Sequence, residues 1–340
     1  MNAPSSKRRR ATGRATLQDV AVAAGVSPIT ASRALRGERS VAAALVERVT
    51  AAVAQLGYVP DPAARALASA RSNQVVVLIP LLSNALFVDL LDAAQRTLLA
   101  AGYQSLIGVT HYDPEEEEAL LRTYLMNRPA GLLVTGFDRT DASRALLQGS
   151  GVPCVHVMEN RGESGLHSVG FSQQAAGHAM TVELVRRGYR RIAFAAAQLD
   201  PRTLQRAEGY RAALGAAHDP ALEFLDAAPS SLALGAAMFE RVLREAPDVD
   251  AIFFNNDDLA QGALLQALRQ GVQVPERVAV VGFNDLTGGD QMLPPLSTVR
   301  TPRREIGLEA ARMLVALMRH EAVPEACMDL GFQLVLRESC

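Results

Sequence analysis

The sequence predicts two unlike parts: an all-α head of helix-turn-helix type, followed by an α/β body of two doubly wound lobes with parallel sheets. Three observations carry that expectation. Charge is split along the chain. Residues 1–71 hold 11 Lys/Arg against 4 Asp/Glu, so with a net charge of −2 overall the remainder carries −9. Within the basic part, two short helical patterns, each with its own capping residue, meet at a glycine. From residue 74 onward, short β-rich runs alternate with amphipathic helical stretches, the pattern of parallel sheets covered on both faces. A chain of 340 residues, 49% of them hydrophobic, supplies cores for two or three folded units.

In order along the chain, residues 1–15 read as a basic, flexible tail with KRRR at 7–10, and TLQDVAVAAGVSPITASRALRG (16–37) follows. Thr16 is a helix N-cap with Asp19 three positions on, as in a capping box. Leu17, Val20, Ala21 and Ala24 recur at helical spacing, and Gly25 tolerates the positive φ at which the helix stops. Ser27 caps a second helix, with Pro28 at its first position, where a missing N–H costs nothing. Ala31, Ala34 and Leu35 form a face suited to packing on the first helix. Pro28, Ile29, Ser32, Arg33 and Arg36 form the opposite face, which carries arginine and small groups able to touch a thymine methyl. A third helix is expected over SVAAALVERVTAAVAQLG (40–57). A tight turn between two capped helices in a basic head points to major-groove reading of DNA rather than to a plain helical hairpin. On this reading Pro28, Ile29, Ser32 and Arg33 supply base contacts. Ser27 and Thr30 position the helix on phosphate, and Thr16 belongs to the same DNA-binding set.

The same stretch, continued by VAAALVERVTAAVAQLGYVPDPAARALA, resembles the DNA-binding head and hinge of the lactose-repressor (LacI) family, without a gap from Thr16 to Ala68. The resemblance implies a DNA-binding domain over 16–59, a hinge helix over 60–72 and an effector-binding and dimerisation body over 73–340. It also implies a homodimer on a palindromic, double-stranded operator. In the family, the segment equivalent to Pro62–Ala68 becomes helical when two subunits sit on DNA, and Leu67 is the wedge pressed into the central minor groove. The chemistry agrees: alanine-rich sequence has high helix propensity, but seven or eight residues cannot overcome nucleation alone.

The body begins with VVVLIP and LFVDLLDAAQRTLLAAG, then YQSLIGVT and PEEEEALLRTYLMNR, GLLVTGF and DASRALLQG, and VPCVHVM. A second set opens with HSVGF and runs to VAVVGF, each strand pattern again followed by a helical one. The closing LSTVRTPRREIGLEAARMLVALMRH and FQLVLRES resemble the family's crossovers, in which the chain returns to the first lobe and then supplies a late strand to the second. The expected lobes cover about 73–168 with 299–322, and 169–298 with 323–340. By that resemblance the architecture is that of periplasmic sugar-binding proteins, with a small-molecule effector between the lobes.

Candidate effector contacts follow strands, because parallel sheets bind at the carboxyl ends of their strands. Phe87, Glu159, Arg202, Arg206, Asn256, Asp257 and Asn284 meet that rule. Arg206, Asn256 and Asn284 also match effector-contact positions of the family. Arg202 and Arg206 stand one helical turn apart, an arrangement able to hold a carboxylate. Many family members carry aspartate where this chain has Asn284, and loss of that carboxylate favours an anionic ligand. HYDPEEEEALLRTYL, AAAQLDPRTLQRAEGY, RTPRREIG and DLGF resemble the gluconate-operon repressors, which points to gluconate or a related sugar acid.

Other chemistry lacks its residues. Three scattered cysteines without a CxxC pair and six histidines without ligand spacing predict no metal site. EEEE (115–118) reads as an acidic first helical turn. No GxGxxG follows a strand, and neither GxxxxGK[ST] nor GxSxG occurs, so neither a cofactor nor an enzymatic activity is expected. The basic start lacks an apolar h-region and no run reaches membrane-spanning length, so a cytoplasmic protein is expected. The contrasting reading is a sugar-binding protein or sugar-handling enzyme with an incidental helical head. Salt-sensitive retention of specific DNA separates the two.

Overall fold

A computed structural model of the chain describes residues 15–35, 37, 40–59, 72–82, 85–162 and 165–340. The chain divides into two compact units, residues 1–72 and 73–340. The tail 1–14, Arg36 and most of the expected hinge, Leu67 included, lie outside the described residues.

The head contains α1 (Leu17–Ala24), α2 (Pro28–Leu35) and α3 (Ala43–Leu56). At the start of α1 the Thr16 hydroxyl accepts from the Asp19 N–H at 3.3 Å, and the Asp19 carboxylate accepts from the Thr16 N–H at 2.8 Å. This reciprocal pair satisfies two of the donors that a helix start leaves orphaned. Gly25 ends α1 at φ 64°, and its N–H reaches back to Ala21 and Val22 carbonyls. Arg48 of α3 donates to the Ala24 carbonyl at 2.5 Å, placing a cation on the negative end of α1. Ser27 caps α2 by accepting from the Thr30 N–H at 3.1 Å. Val20, Ala21, Ala24, Ala31, Ala34, Val49 and Ala52 form the small core. Leu35 departs from the expectation: it is 36% exposed, because the helix interface is filled by alanines and leaves a leucine at its margin.

In the body, β1 (Gln74–Ile79), α4 (Leu86–Ala100), β2 (Gln104–Val109), α5 (Pro114–Met126), β3 (Gly131–Thr135), α6 (Asp141–Ser150), β4 (Cys154–Val157) and β5 (Ser168–Gly170) come first. The second set comprises α7 (Gln173–Arg186), β6 (Ile192–Ala197), α8 (Pro201–Leu214), β7 (Glu223–Asp226) and α9 (Leu232–Glu245). It continues with β8 (Ala251–Phe254), α10 (Asp257–Gln270), β9 (Ala279–Asn284) and β10 (Ser297–Arg300). The chain finishes with α11 (Arg303–Met318), β11 (Cys327–Asp329) and β12 (Gln333–Val335).

Two six-stranded sheets result, in the orders β11-β5-β4-β3-β1-β2 and β12-β10-β9-β8-β6-β7. Among the described residues all pairings are parallel except β10 with β12. Runs such as Val75–Ile79 and Ile192–Ala197 are buried throughout, as strands covered on both faces must be. The orders β3-β1-β2 and β8-β6-β7 are the same doubly wound turn used twice, although no residue-level repeat is visible. In each, the strand order reverses beside β1 or β6, opening a crevice at the carboxyl ends.

The observed lobe boundaries differ from those expected. β5, which opens the HSVGF run assigned to the second set, pairs with β4 in the first sheet. β11 joins the first sheet beside β5, although residues from 323 onward were expected in the second lobe. Three-residue edge strands carry too little hydrophobic pattern to declare their sheet. The chain therefore crosses between sheets after β5, after β10 and again between β11 and β12.

Candidate functional site

In the head, Ser27, Pro28, Ile29 and Arg33 are exposed at the start and outer face of α2, and Thr30 and Ser32 are half-buried. Ile29 is 66% exposed, an apolar side chain standing in water beside Arg33. The Ser27 and Thr30 hydroxyls are 2.9 Å apart and hydrogen-bonded to one another, so both stabilise the helix start as well as facing outward. Thr16 is occupied by its capping box.

In the body, the carboxyl ends of both sheets converge on a cleft that holds a cavity of about 90 Å³. The first lobe contributes Phe87 at the start of α4, Tyr112 after β2 and Met158 after β4. The second contributes Arg202 and Arg206 on α8, Ser230 after β7, Asn256 after β8 and Asn284 at the end of β9. Phe87, Arg202, Arg206, Asn256 and Asn284 are thus brought together as expected from their strands.

Arg206 is 6% exposed. Its Nε donates to Gln173 at 2.8 Å and its Nη1 to the Asn255 carbonyl at 2.6 Å, while the guanidinium lies 4.0 Å over the Phe283 ring. No carboxylate partners it among the described residues. Burial lowers its pKa to about 10, with neighbouring Asp200 opposing and Arg202 adding to the shift, so it remains a cation at neutral pH. Asn256 does two jobs. Its Oδ1 accepts from the Leu259 N–H at 3.0 Å, capping α10, and its Nδ2 donates to Ser230 at 2.6 Å on the cleft wall. Asn284 holds a positive φ of 110°, and its buried Oδ1 has no hydrogen-bond partner among the described residues. An orphaned acceptor lining a cavity is suited to a ligand donor.

Three expectations are corrected in detail. Arg202 lines the cleft, but it is not available as half of a carboxylate clamp. Its Nη1 donates to Asp138 at 2.8 Å and Glu159 at 3.2 Å, and its Nε lies 3.0 Å from Asp200. Burial works to lower its pKa, but those three carboxylates outweigh it and hold the pKa above the ordinary arginine value. Glu159 does not line the cavity. It accepts from Arg202 and, at 2.8 Å, from Gln205, joining the first lobe to α8 of the second. Asp257 is fully buried and turned away, accepting from the Leu286 N–H at 2.6 Å and the Thr298 hydroxyl at 2.7 Å. One position along a helix start rotates a side chain by about 100°, enough to carry it from cleft to core.

Tyr112, Gln198, Ser230, Asn255 and Asp258 also line the cleft and were missed. Applying the strand-end rule to every strand would have found them, since each follows β2, β6, β7 or β8. No group of three or more His, Cys, Asp or Glu able to hold a metal occurs among the described residues, and no helix there is long and apolar enough to cross a membrane.

Comparison with known proteins decides the family. Residues 16–61 match the family described as "Bacterial regulatory proteins, lacI family", and residues 181–340 match a periplasmic binding protein-like domain. The chain is 54% identical over 337 residues to the HTH-type transcriptional regulator GntR of Pseudomonas aeruginosa, covering 98% of each. The chain belongs to the LacI family. It is a DNA-binding transcriptional regulator, not an enzyme. Among solved structures, this LacI-family chain resembles a regulator of the family from Silicibacter pomeroyi at TM-score 0.88 and 36% identity, covering 96% of this chain and 99% of that one. It also resembles the transcription regulator GntR from Chromobacterium violaceum at TM-score 0.76 and 48% identity, covering 78% and 98%.

Proposed function

We propose that this regulator is a homodimeric repressor whose operator affinity is controlled by gluconate or a closely related sugar acid bound between the lobes. The observation that carries the reading is Arg206, a buried cation on the cleft wall without a carboxylate partner among the described residues. The neighbouring arginine is already neutralised, so a ligand carboxylate is drawn to one position rather than two. Around it, Asn256, Asn284, Ser230 and Asp258 offer the hydrogen-bonding groups a polyhydroxylated chain requires. The names of the relatives agree with the ligand class.

In the head, Pro28, Ile29, Ser32 and Arg33 read base edges, while Ser27 and Thr30 lie toward phosphate, with Thr16 fixing the start of α1. Leu67 of the 60–72 segment is the wedge at the centre of a palindromic operator. Because ligand and operator act on one conformational equilibrium, each changes the affinity of the other by the same factor.

The test is fluorescence anisotropy of the full chain on DNA from upstream of sugar-acid catabolic genes, with and without gluconate. Release of DNA by gluconate in the wild type, and its absence in Arg206→Gln, is the expected result. Tight DNA binding indifferent to gluconate in the wild type rejects the effector. Weak, sequence-blind binding rejects the operator.

A further inference from the structure

A second cavity, of about 650 Å³, lies in the first lobe, away from the inter-lobe cleft and sharing none of the candidate effector residues. Its origin is topological. Parallel strands need a crossover connection, usually a helix. The connection from β4 to β5, residues 158–167, contains no helix among its described residues. On one face of this part of the sheet Val155 and Val157 pack in the core with α11, which also touches β3 and β5. Alternation along β4 sends Cys154 and His156 to the other face, where α5 and α6 cover β1 to β3 but no crossover helix follows. The cavity occupies that place.

Its lining is specific in chemistry. The floor and walls are apolar: Phe137, Leu147, Val152, Pro153, Leu166 and Leu317. Phe137 stacks on the His156 ring with centroids 4.3 Å apart and planes 12° from parallel, and the Arg161 guanidinium lies 4.9 Å over the Phe137 ring. Most of the polar groups are basic residues, Arg139, Arg144, Arg161, His156, His167 and His320, with Gln148 and Cys154 as the neutral ones. No carboxylate is among the described lining residues. Arg139 is held in the wall by Glu117 at 2.6 Å, and Arg144 pairs with Asp141 at 2.7 Å, but neither acid faces the cavity.

We infer that this cavity is a second small-molecule site, which takes an organic anion with a flat, apolar body and a terminal phosphate or carboxylate. The body lies on the apolar floor beside the Phe137–His156 stack. The anionic end meets Arg161 and His320, which are both exposed at the rim. Charge and shape both favour this occupant: guanidinium and imidazole donors recognise oxyanions, and the volume lies in the range of cofactor and metabolite pockets.

Phenyl phosphate is the probe, titrated calorimetrically into the full-length protein. One saturable site per chain is expected. Arg161→Gln and His320→Gln, both surface changes that leave the core intact, each weaken it about tenfold. Arg206→Gln, which alters the inter-lobe cleft, leaves it unchanged. Circular dichroism and thermal melts of each variant check that the fold is kept. Absence of saturable binding at millimolar probe overturns the proposal. So does binding that survives both rim substitutions, or that is lost with Arg206→Gln. None of these readings depends on gluconate, so the cleft assignment stands or falls separately.

Discussion

Arg202 and Arg206 are one helical turn apart on α8, yet only Arg206 reaches the cleft without an ion-paired carboxylate among the described residues. Arg206→Gln is expected to weaken gluconate binding by about 1.5–3 kcal/mol, the worth of a hydrogen bond to a charged group, while leaving operator affinity without ligand unchanged. Calorimetry reads the first and anisotropy the second. In the head, Arg33→Ala is expected to cost about 1–3 kcal/mol of operator binding and to relax one base position, and binding to a randomised operator library checks it. His156 supplies a pH effect. It is 4% exposed, and burial, reinforced by Arg139, lowers its pKa from 6.5 to about 4. The unfolded chain therefore takes up a proton near pH 6.5 that the folded chain refuses until about pH 4, and stability falls as pH drops through that window. The loss is roughly 3 kcal/mol at its fullest. Asp257, raised by burial to about 6, acts in the opposite direction, since the folded chain gains its proton first. The measurement is thus the difference between wild type and His156→Gln in urea melts at pH 7.5 and pH 4.5, with the variant expected to lose less stability on acidification than the wild type.

Helices α7 and α8 meet backbone to backbone. A Cβ added at Gly177 on α7 would lie 2.5 Å from the Arg206 carbonyl on α8, and one added at Gly209 would lie 2.1 Å from the Gln174 carbonyl on α7. Gly177→Ala must therefore push α8 outward and carry Arg206 with it. The expected result is a loss of about 1–3 kcal/mol of stability together with weaker gluconate binding, although Gly177 does not line the cleft. Wild-type affinity in this variant would count against the role of the contact. The same elements show where sequence reading reached its end. Strand-helix alternation located both sheets, and the rule that ligands meet strand ends located Arg206, Asn256 and Asn284. It could not separate Asn256, which faces the cleft, from Asp257, which turns beneath β9 and β10, because adjacent residues at a helix start differ only in rotation. The commitment of Arg202 to Asp138 and Glu159 was equally hidden, since those partners are 64 and 43 residues away and belong to another lobe.

Across the whole body, the Arg202 cluster and Arg303 tie the lobes together. Arg303, at the start of α11, lies 3.1 Å from Asp89 on α4 and donates to the Asn284 carbonyl at the end of β9. Glu159→Ala removes the contacts with Arg202 and Gln205, and since Glu159 does not itself line the cavity, it reaches the lining only through Arg202. It is expected to populate more open lobe arrangements and so to weaken gluconate binding about three- to tenfold, with a larger radius of gyration of the ligand-free body in X-ray scattering. Unchanged affinity and unchanged scattering would show that these links carry no part of lobe closure. The threefold crossing between sheets has a further result, felt before the protein is finished. α11 and β11 complete the first lobe and β12 the second, and all three come from residues 303–335. A ribosome therefore releases β1 to β5 with the surface meant for α11 still bare, and it makes the entire second βα set before that cover arrives. Both sheets gain their last strands only from that same late segment, so the two lobes are completed together.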